Sequence, residues 1–201
     1  MNNYIIIGDS ITYGIGDVET GGWASMFKKY IVSKDDTKVC NNFVHIVGFP
    51  GTTSNDILNK INYIFNAYKN DEFKNVVILS IGINDAQEFN GNTKSSIEQY
   101  KSNMKKIIQY LLNENVELIV LGLTRIENDE KFWWKPNKFY YNKYIFEFDK
   151  IIKEVCNNYK VKYVPMIDIL QKGDFIDGLH PNHSGHKKIY DSLIDSFNGD
   201  I

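Results

Sequence analysis

Cysteine is scarce in this 201-residue chain, which contains only two. Cys40 and Cys156 stand far apart, and neither belongs to a Cys-x-x-Cys pair or to a spacing typical of zinc ligands. We therefore expect two reduced thiols, with no disulfide framework and no metal site built on cysteine.

Long hydrophobic runs are also missing. No segment approaches the roughly 20 apolar residues that a membrane-spanning helix needs. Residues 1–3 lead directly into a short apolar run at 4–7, without the positively charged start and long apolar segment of a signal peptide. These absences predict a cytoplasmic protein with no membrane span.

Signals of nucleotide and nucleic-acid binding are weak. The net charge of −2 gives no basic excess that would attract nucleic acid. The segment from Gly8 to Gly14 lacks the G-x-G-x-x-G pattern, and no Walker lysine is present. A flavodoxin-like nucleotide-binding domain stays an alternative, and it predicts tight binding of FMN or a nucleotide.

What the chain does contain is a regular alternation of apolar runs and helical patterns, with 43% hydrophobic residues. Five short strands separated by helices predict a parallel sheet covered on both faces, and we expect a flavodoxin-like strand order of 2-1-3-4-5. No internal repeat or linker interrupts it, so we predict a single domain over residues 1–201. The predicted strands are 4–7, 44–47, 76–81, 118–123 and 161–164; the predicted helices are 22–32, 54–65, 95–113, 137–157 and, capped by Asn182, 183–197.

Ser10 is the leading candidate for chemistry, because it follows the first strand at a Gly-Asp-Ser turn. The carboxyl ends of parallel strands are where open α/β sheets bind ligands. A serine nucleophile needs a base, and a histidine base needs a carboxylate to orient it. Asp177 and His180 are three residues apart and supply both groups. Taken alone, Ser10 is equally well explained as a helix cap.

Two further segments follow strands at the same predicted edge. Gly51 lies after the second strand and Asn84 after the third. Attack on an ester creates an oxyanion that hydrogen-bond donors stabilise. Gly51 allows close approach of its backbone N–H and Asn84 offers a side-chain amide, while the backbone N–H of Ser10 is a third donor.

The four segments in this order resemble the SGNH (GDSL-type) hydrolase family. The resemblance rests on the segments 8–14, 48–53, 82–85 and 177–182 and extends from residue 4 to about 190. It implies a three-layer α/β/α sandwich and no required cofactor. It also implies that Ser10 is the nucleophile, that Gly51 and Asn84 complete the oxyanion hole, and that Asp177 and His180 complete a triad.

The sequence and the resemblance together predict a serine esterase acting on a short-acyl ester, such as an acetylated carbohydrate. Trp133 and Trp134 are either loop anchors or a platform that stacks on the substrate. The alternatives are a thioesterase or lysophospholipase and a catalytically silent binding protein of the same fold. We expect no metal site, because no carboxylate or cysteine spacing completes a known ligand set around the histidines. His183 and His186 fit the solvated start of the last helix. The sequence does not indicate an oligomeric state.

Overall fold

The computed structural model describes residues 1–35, 41–128 and 138–198. Helices and strands alternate along most of the chain, as the sequence pattern predicts. In chain order the elements are β1 (Asn2–Gly8), α1 (Ser10–Tyr13), α2 (Trp23–Ser33), β2 (Asn42–Gly48), α3 (Ser54–Leu58), α4 (Ile61–Tyr68), β3 (Lys74–Ser80), β4 (Glu88–Phe89), β5 (Asn92–Thr93), α5 (Ile97–Asn113), β6 (Glu117–Leu121), β7 (Lys138–Phe139), α6 (Asn142–Tyr159), β8 (Lys162–Val164) and α7 (His183–Asn198).

Five parallel strands form the main sheet, in the order β2-β1-β3-β6-β8. The predicted five-stranded parallel sheet, flanked by helices, is thereby confirmed. β1 lies inside the sheet, and the side chains of Ile5, Ile6 and Ile7 are completely buried. A strand covered on both faces has no polar face, which is why the sequence shows a continuous apolar run instead of alternation.

The ends of the first three strands lie level with one another. Gly8 at the end of β1 pairs with Gly48 of β2 on one side and with Ser80 of β3 on the other. A side chain at position 8 has no room, because its Cβ would lie 2.5 Å from the Ser80 carbonyl oxygen. The chain after Gly8 therefore turns tightly over the edge of the sheet into α1.

The flanking helices pack in two groups. α2 packs against α7, and α5 packs against both α3 and α6. Large aromatic side chains fill these contacts, as in α5 and α6, where the rings of Tyr100 and Phe148 lie 4.9 Å apart. Buried aromatic area of this kind dominates core energetics.

Two predicted helices differ from the structure. The segment 54–65 forms two helices, α3 and α4, because the chain tightens at Lys60, whose N–H donates to the carbonyl of Ile57. The apolar periodicity continues across this break, so the pattern cannot reveal it. The prediction of a helix from 137 is wrong in its first turn, since α6 begins at Asn142 and residues 138–139 are extended.

These extended residues belong to a second, three-stranded sheet that the sequence does not predict. It is antiparallel, with the order β5-β4-β7, and we call it the small sheet. Phe89 of β4 pairs with Lys138 of β7, and Glu88 pairs with both Thr93 and Phe139. Strands of two residues are too short to show a periodicity in the sequence.

Within the described residues, no helix is long and apolar enough to cross a lipid bilayer. Cys156 is a buried free thiol, and Cys40 lies outside the described residues.

Candidate active site

Ser10 is the first residue of α1 and lies directly beyond the end of β1. Asp9 caps the short helix, because its carboxylate accepts the N–H of Ile11 at 3.0 Å. The cap is therefore Asp9, and Ser10 is free for another role. Its side chain is mostly buried, with 6% exposed.

His180 lies beside Ser10 although 170 residues separate them. The Nε2 atom of His180 is 3.0 Å from the Ser10 Oγ. On the other side of the ring, Nδ1 is 2.7 Å from a carboxylate oxygen of Asp177. The three side chains thus form one hydrogen-bonded line, in which the carboxylate fixes the ring and Nε2 faces the hydroxyl.

Hydrogen bonds that involve backbone groups hold the segment that carries Asp177 and His180. The second carboxylate oxygen of Asp177 accepts the N–H groups of Leu179 and His180, at 3.0 and 2.7 Å. The carbonyl of His180 accepts the N–H of Ile176, and the carbonyl of Gly178 accepts the N–H of Glu127. These bonds fix the loop before α7, so the imidazole does not depend on side-chain packing alone.

The same contacts set the ionisation of Asp177. Partial burial raises the pKa of its carboxyl group, but the hydrogen bonds from the His180 ring and from the backbone of His180 and Leu179 outweigh that effect. The pKa of Asp177 lies below its ordinary value, so the group is a carboxylate at neutral pH. A carboxylate at Nδ1 stabilises an imidazolium whenever His180 accepts a proton.

Gly51 and Asn84 line the same pocket as Ser10 and His180. Gly51 has a positive φ of 79°, a conformation that favours glycine, and its Cα faces open space. In the described part of the chain, no partner accepts the backbone N–H of either Ser10 or Gly51. Two backbone donors are therefore available at this pocket.

Asn84 is buried, and two neighbours orient its amide. Its Nδ2 donates to the carbonyl of Thr52 at 3.1 Å, which leaves its second amide hydrogen for another acceptor. Its Oδ1 accepts the hydroxyl of Tyr140 at 2.9 Å, and Gln87 donates to that hydroxyl at 2.7 Å. Tyr140 was not among the predicted site residues, because it enters the pocket only through the small sheet.

Asp85, next to Asn84, holds this segment against α3. Its carboxylate accepts the N–H and the hydroxyl of Ser54 and the hydroxyl of Ser95 at 2.8, 2.6 and 2.6 Å. Ser54 is completely buried, and Asn103 of α5 donates to its hydroxyl at 3.1 Å. Asp85 thus connects the loop after β3 to two helices and fixes the position of Asn84.

The pocket has a volume of about 220 Å³. Its remaining polar wall comes from the small sheet and its flanking residues, namely Gln87, Lys94, Lys138 and Tyr140. Trp133 and Trp134, which the sequence suggests for substrate binding, lie outside the described residues.

Comparison with known proteins identifies the family of the chain. The model of the GDSL-like lipase/acylhydrolase family matches residues 6–188. The chain belongs to this family. The resemblance inferred from the four sequence segments is thereby confirmed, and the protein is a hydrolase.

Individual proteins are also similar to this chain. A multidomain esterase from Ruminococcus flavefaciens is 25% identical, and the match covers 96% of this chain but only 28% of that protein. A lipase/acylhydrolase from Enterococcus faecalis has a TM-score of 0.73 at 20% identity, over 100% of this chain and 97% of that one. An acetyl xylan esterase from Geobacillus stearothermophilus has a TM-score of 0.73 at 17% identity, over 96% and 93% of the two chains. The two structural matches show a shared fold.

One expectation about the histidines is wrong. His186 is completely buried, not solvated, and it connects two segments near this GDSL-type site. Its Nδ1 accepts the N–H of Trp23 at 3.3 Å, and its Nε2 donates to the carbonyl of Ile15 at 3.0 Å. Burial is the largest effect on His186 and lowers its pKa, so a neutral ring serves as donor and acceptor. His183 is half-exposed and contacts Asp17, and no metal-binding cluster occurs among the described residues.

Tyr140→Phe tests how Asn84 is oriented. The substitution removes the hydroxyl that Asn84 accepts, so the amide loses one of its two fixed contacts. We expect kcat to fall about 3- to 10-fold with little change in KM, as for the loss of one neutral hydrogen bond. Steady-state kinetics on a chromogenic acetate ester measure this. Tyr144→Phe is the matched control, and an equal loss of kcat in both variants would contradict the role of Tyr140.

Asp9→Asn tests the buried carboxyl group under Ser10. Burial raises the pKa of Asp9 from 3.8 to about 7, despite the hydrogen bond from Ile11. Between these two values the folded protein holds a proton that the unfolded chain releases, so stability falls as the pH rises through this window. At about 1.4 kcal/mol per pKa unit, the loss amounts to about 4 kcal/mol above pH 7.

An asparagine at position 9 keeps an oxygen for the N–H of Ile11 and carries no ionisable group. We therefore expect the melting temperature of Asp9→Asn, relative to wild type, to be higher at pH 8 than at pH 5. Thermal unfolding at the two pH values measures the difference. An identical difference at both pH values would show that Asp9 does not hold a proton in the folded state.

Proposed function

We propose that this chain is a serine esterase that hydrolyses a carboxylic ester through an acyl-enzyme on Ser10. The observation that carries the proposal is the hydrogen-bonded line from Ser10 through His180 to Asp177, with separations of 3.0 and 2.7 Å. A serine hydroxyl is a weak nucleophile at neutral pH, and an adjacent imidazole overcomes that weakness by accepting its proton.

Each step then moves one proton through His180. The Ser10 Oγ attacks the ester carbonyl carbon while His180 Nε2 takes the hydroxyl proton. The tetrahedral intermediate collapses, the bond to the alcohol breaks, and His180 protonates the leaving oxygen. A water molecule next attacks the acyl-enzyme and gives its proton to His180. The carboxylic acid leaves, and the proton returns to Ser10.

Three donors stabilise the oxyanion of each tetrahedral intermediate. They are the backbone N–H groups of Ser10 and Gly51 and the second amide hydrogen of Asn84. All three residues line one pocket, and none of these hydrogens has a partner in the described part of the chain. Fixed donors at a developing charge are among the largest contributions to catalysis, typically about 10²- to 10³-fold for each one.

The pocket favours a short acyl group. Its volume of about 220 Å³ lies below the range of about 300–1,000 Å³ typical of sites for drug-sized ligands. The acetyl xylan esterase with the same fold supports an acetylated carbohydrate as the substrate class. Trp133 and Trp134 follow β6 in the chain, and we assign them to the binding of the sugar.

Ser10→Ala is expected to abolish measurable turnover of 4-nitrophenyl acetate, because the variant has no nucleophile. Asp177→Asn keeps the shape of the loop but removes the charge that stabilises the imidazolium. For this variant we expect kcat to fall about 10²- to 10⁴-fold. Release of 4-nitrophenol measures both effects. Wild-type turnover by folded Ser10→Ala protein would refute the proposed mechanism.

The acyl preference is a separate prediction. We expect kcat/KM to be higher for 4-nitrophenyl acetate than for 4-nitrophenyl octanoate, because the pocket is small. Parallel assays with the same leaving group measure the preference. A preference for octanoate would instead indicate a thioesterase or lysophospholipase.

A further inference from the structure

The small sheet places four polar residues along one wall of the pocket. Gln87 directly precedes β4 and Lys94 directly follows β5. Lys138 belongs to β7, and Tyr140 follows that strand. All four line the pocket that contains Ser10 and His180. Residues distant in the chain are thus fixed in one wall by the pairing of β4 with its two neighbours.

Two of these four residues carry a positive charge at neutral pH. No aspartate or glutamate is among the described residues that line the pocket. Neither Lys94 nor Lys138 forms an ion pair within the described ranges. The described lining of the pocket therefore carries two positive charges and no negative one, while the carboxyl groups of Asp56 and Asp85 lie within electrostatic reach of Lys94 outside that lining.

Lys94 is exposed, and its ammonium group lies next to one of the residues that supply the oxyanion donors. Its Nζ donates to the carbonyl of Gly51 at 3.3 Å. The N–H of the same residue, Gly51, is one of the unpaired donors of the site. The ammonium group consequently lies close to the place where an ester carbonyl would be held, and two further hydrogens on Nζ remain for a ligand.

We propose that Lys94 and Lys138 form a subsite for a negatively charged group, and that the preferred substrate is an ester that also carries a carboxylate. An ammonium group bonds a carboxylate more strongly than it bonds a neutral oxygen. A pocket partly shielded from water strengthens that attraction, and a local positive field also raises the rate at which anionic substrates arrive. Gln87 and Tyr140 provide neutral contacts beside the two charges.

The proposal of this subsite rests on the proposed esterase function. It adds to that function a preference for substrates that carry a negative charge. The carboxylate can belong to either half of the ester. A carboxylate in the acyl half would be the free end of a dicarboxylic acid that is esterified at its other end. In the alcohol half it would be that of an acetylated hydroxy acid, such as a uronic acid.

Two matched pairs of esters distinguish these sources. Monoethyl succinate and ethyl succinamate differ only in whether the acyl half ends in a carboxylate or a neutral amide. The pair 3-acetoxybenzoate and 3-acetoxybenzamide makes the same change in the alcohol half. For each pair, chromatographic measurement of the products gives the ratio of kcat/KM for the anionic ester to kcat/KM for the neutral one.

We call this ratio of the two kcat/KM values the charge ratio. We expect it to fall in at least one of the two ester pairs when Lys94 or Lys138 is replaced by a neutral residue. The fall should be about 3-fold for Lys94→Gln or Lys138→Gln and about 10-fold for the double variant, as for partly exposed ion pairs. Lys94→Arg and Lys138→Arg keep the charge and should retain most of the ratio. For wild type, the ratio should also fall in 1 M salt, where the screening length is about 3 Å.

Lys29→Gln is the matched control, because this exposed lysine of α2 does not line the pocket. It removes the same charge from the chain and should leave the ratio at the wild-type value. A fall of equal size in Lys29→Gln would mean that net charge, not the subsite, sets the preference.

The failure of the subsite and the failure of the esterase mechanism give different results. If wild type hydrolyses the neutral esters in a Ser10-dependent manner, but no lysine variant changes either ratio, the subsite is wrong and the mechanism stands. If wild type hydrolyses none of the four esters but turns over 4-nitrophenyl acetate in a Ser10-dependent manner, the subsite is wrong and the mechanism stands. If folded Ser10→Ala hydrolyses the esters as well as wild type does, the mechanism is wrong and the subsite falls with it.

Discussion

β1 pairs in register with β2 on one side and with β3 on the other along its whole length, from Asn2 to Gly8. This pairing makes three strands end at one level. The residues that follow them, among them Ser10, Gly51 and Asn84, therefore emerge side by side at one edge of the sheet. Ile5, Ile6 and Ile7 are completely buried and anchor β1 in the interior of the sheet.

The remaining two members of the site come from the other end of the chain. The loop before α7 carries Asp177 and His180, and hydrogen bonds to its own backbone and to Glu127 hold it in place. α7 is secured to α2 by the buried ring of His186, which bonds to Trp23 and Ile15. The sheet therefore positions Ser10, while the loop before α7 and the contact between α2 and α7 position His180.

The sequence is sufficient to predict the five parallel strands, since each contains a short apolar run, and the runs of β1, β3 and β6 are buried on both faces. It also indicates Ser10, Gly51, Asn84, Asp177 and His180, because each is a polar or glycine residue directly beyond an apolar run or in a short acid–base segment. Their roles in catalysis stay proposals, although Ser10, Gly51, Asn84 and His180 line one pocket and Asp177 contacts His180 behind it.

The features that the sequence does not reveal have physical causes of two kinds. The small sheet depends on the pairing of Glu88 with Phe139, two residues that are distant in the chain and belong to strands too short to show a period. As a result, Tyr140, Lys94 and Lys138 were not recognised as pocket residues. His186 is buried because α7 packs against α2. The sequence around a histidine near the start of a helix does not predict such a contact between two helices.

The central claim is that Ser10 is a nucleophile activated by His180. The most direct measurement is covalent labelling of the folded protein with a fluorophosphonate, followed by mass spectrometry of the intact chain and of its peptides. The account predicts one phosphonyl group per chain, attached to Ser10, and no label in folded Ser10→Ala or when the protein is denatured first. Absence of label from the folded wild-type protein, or its attachment to another residue, would contradict the account.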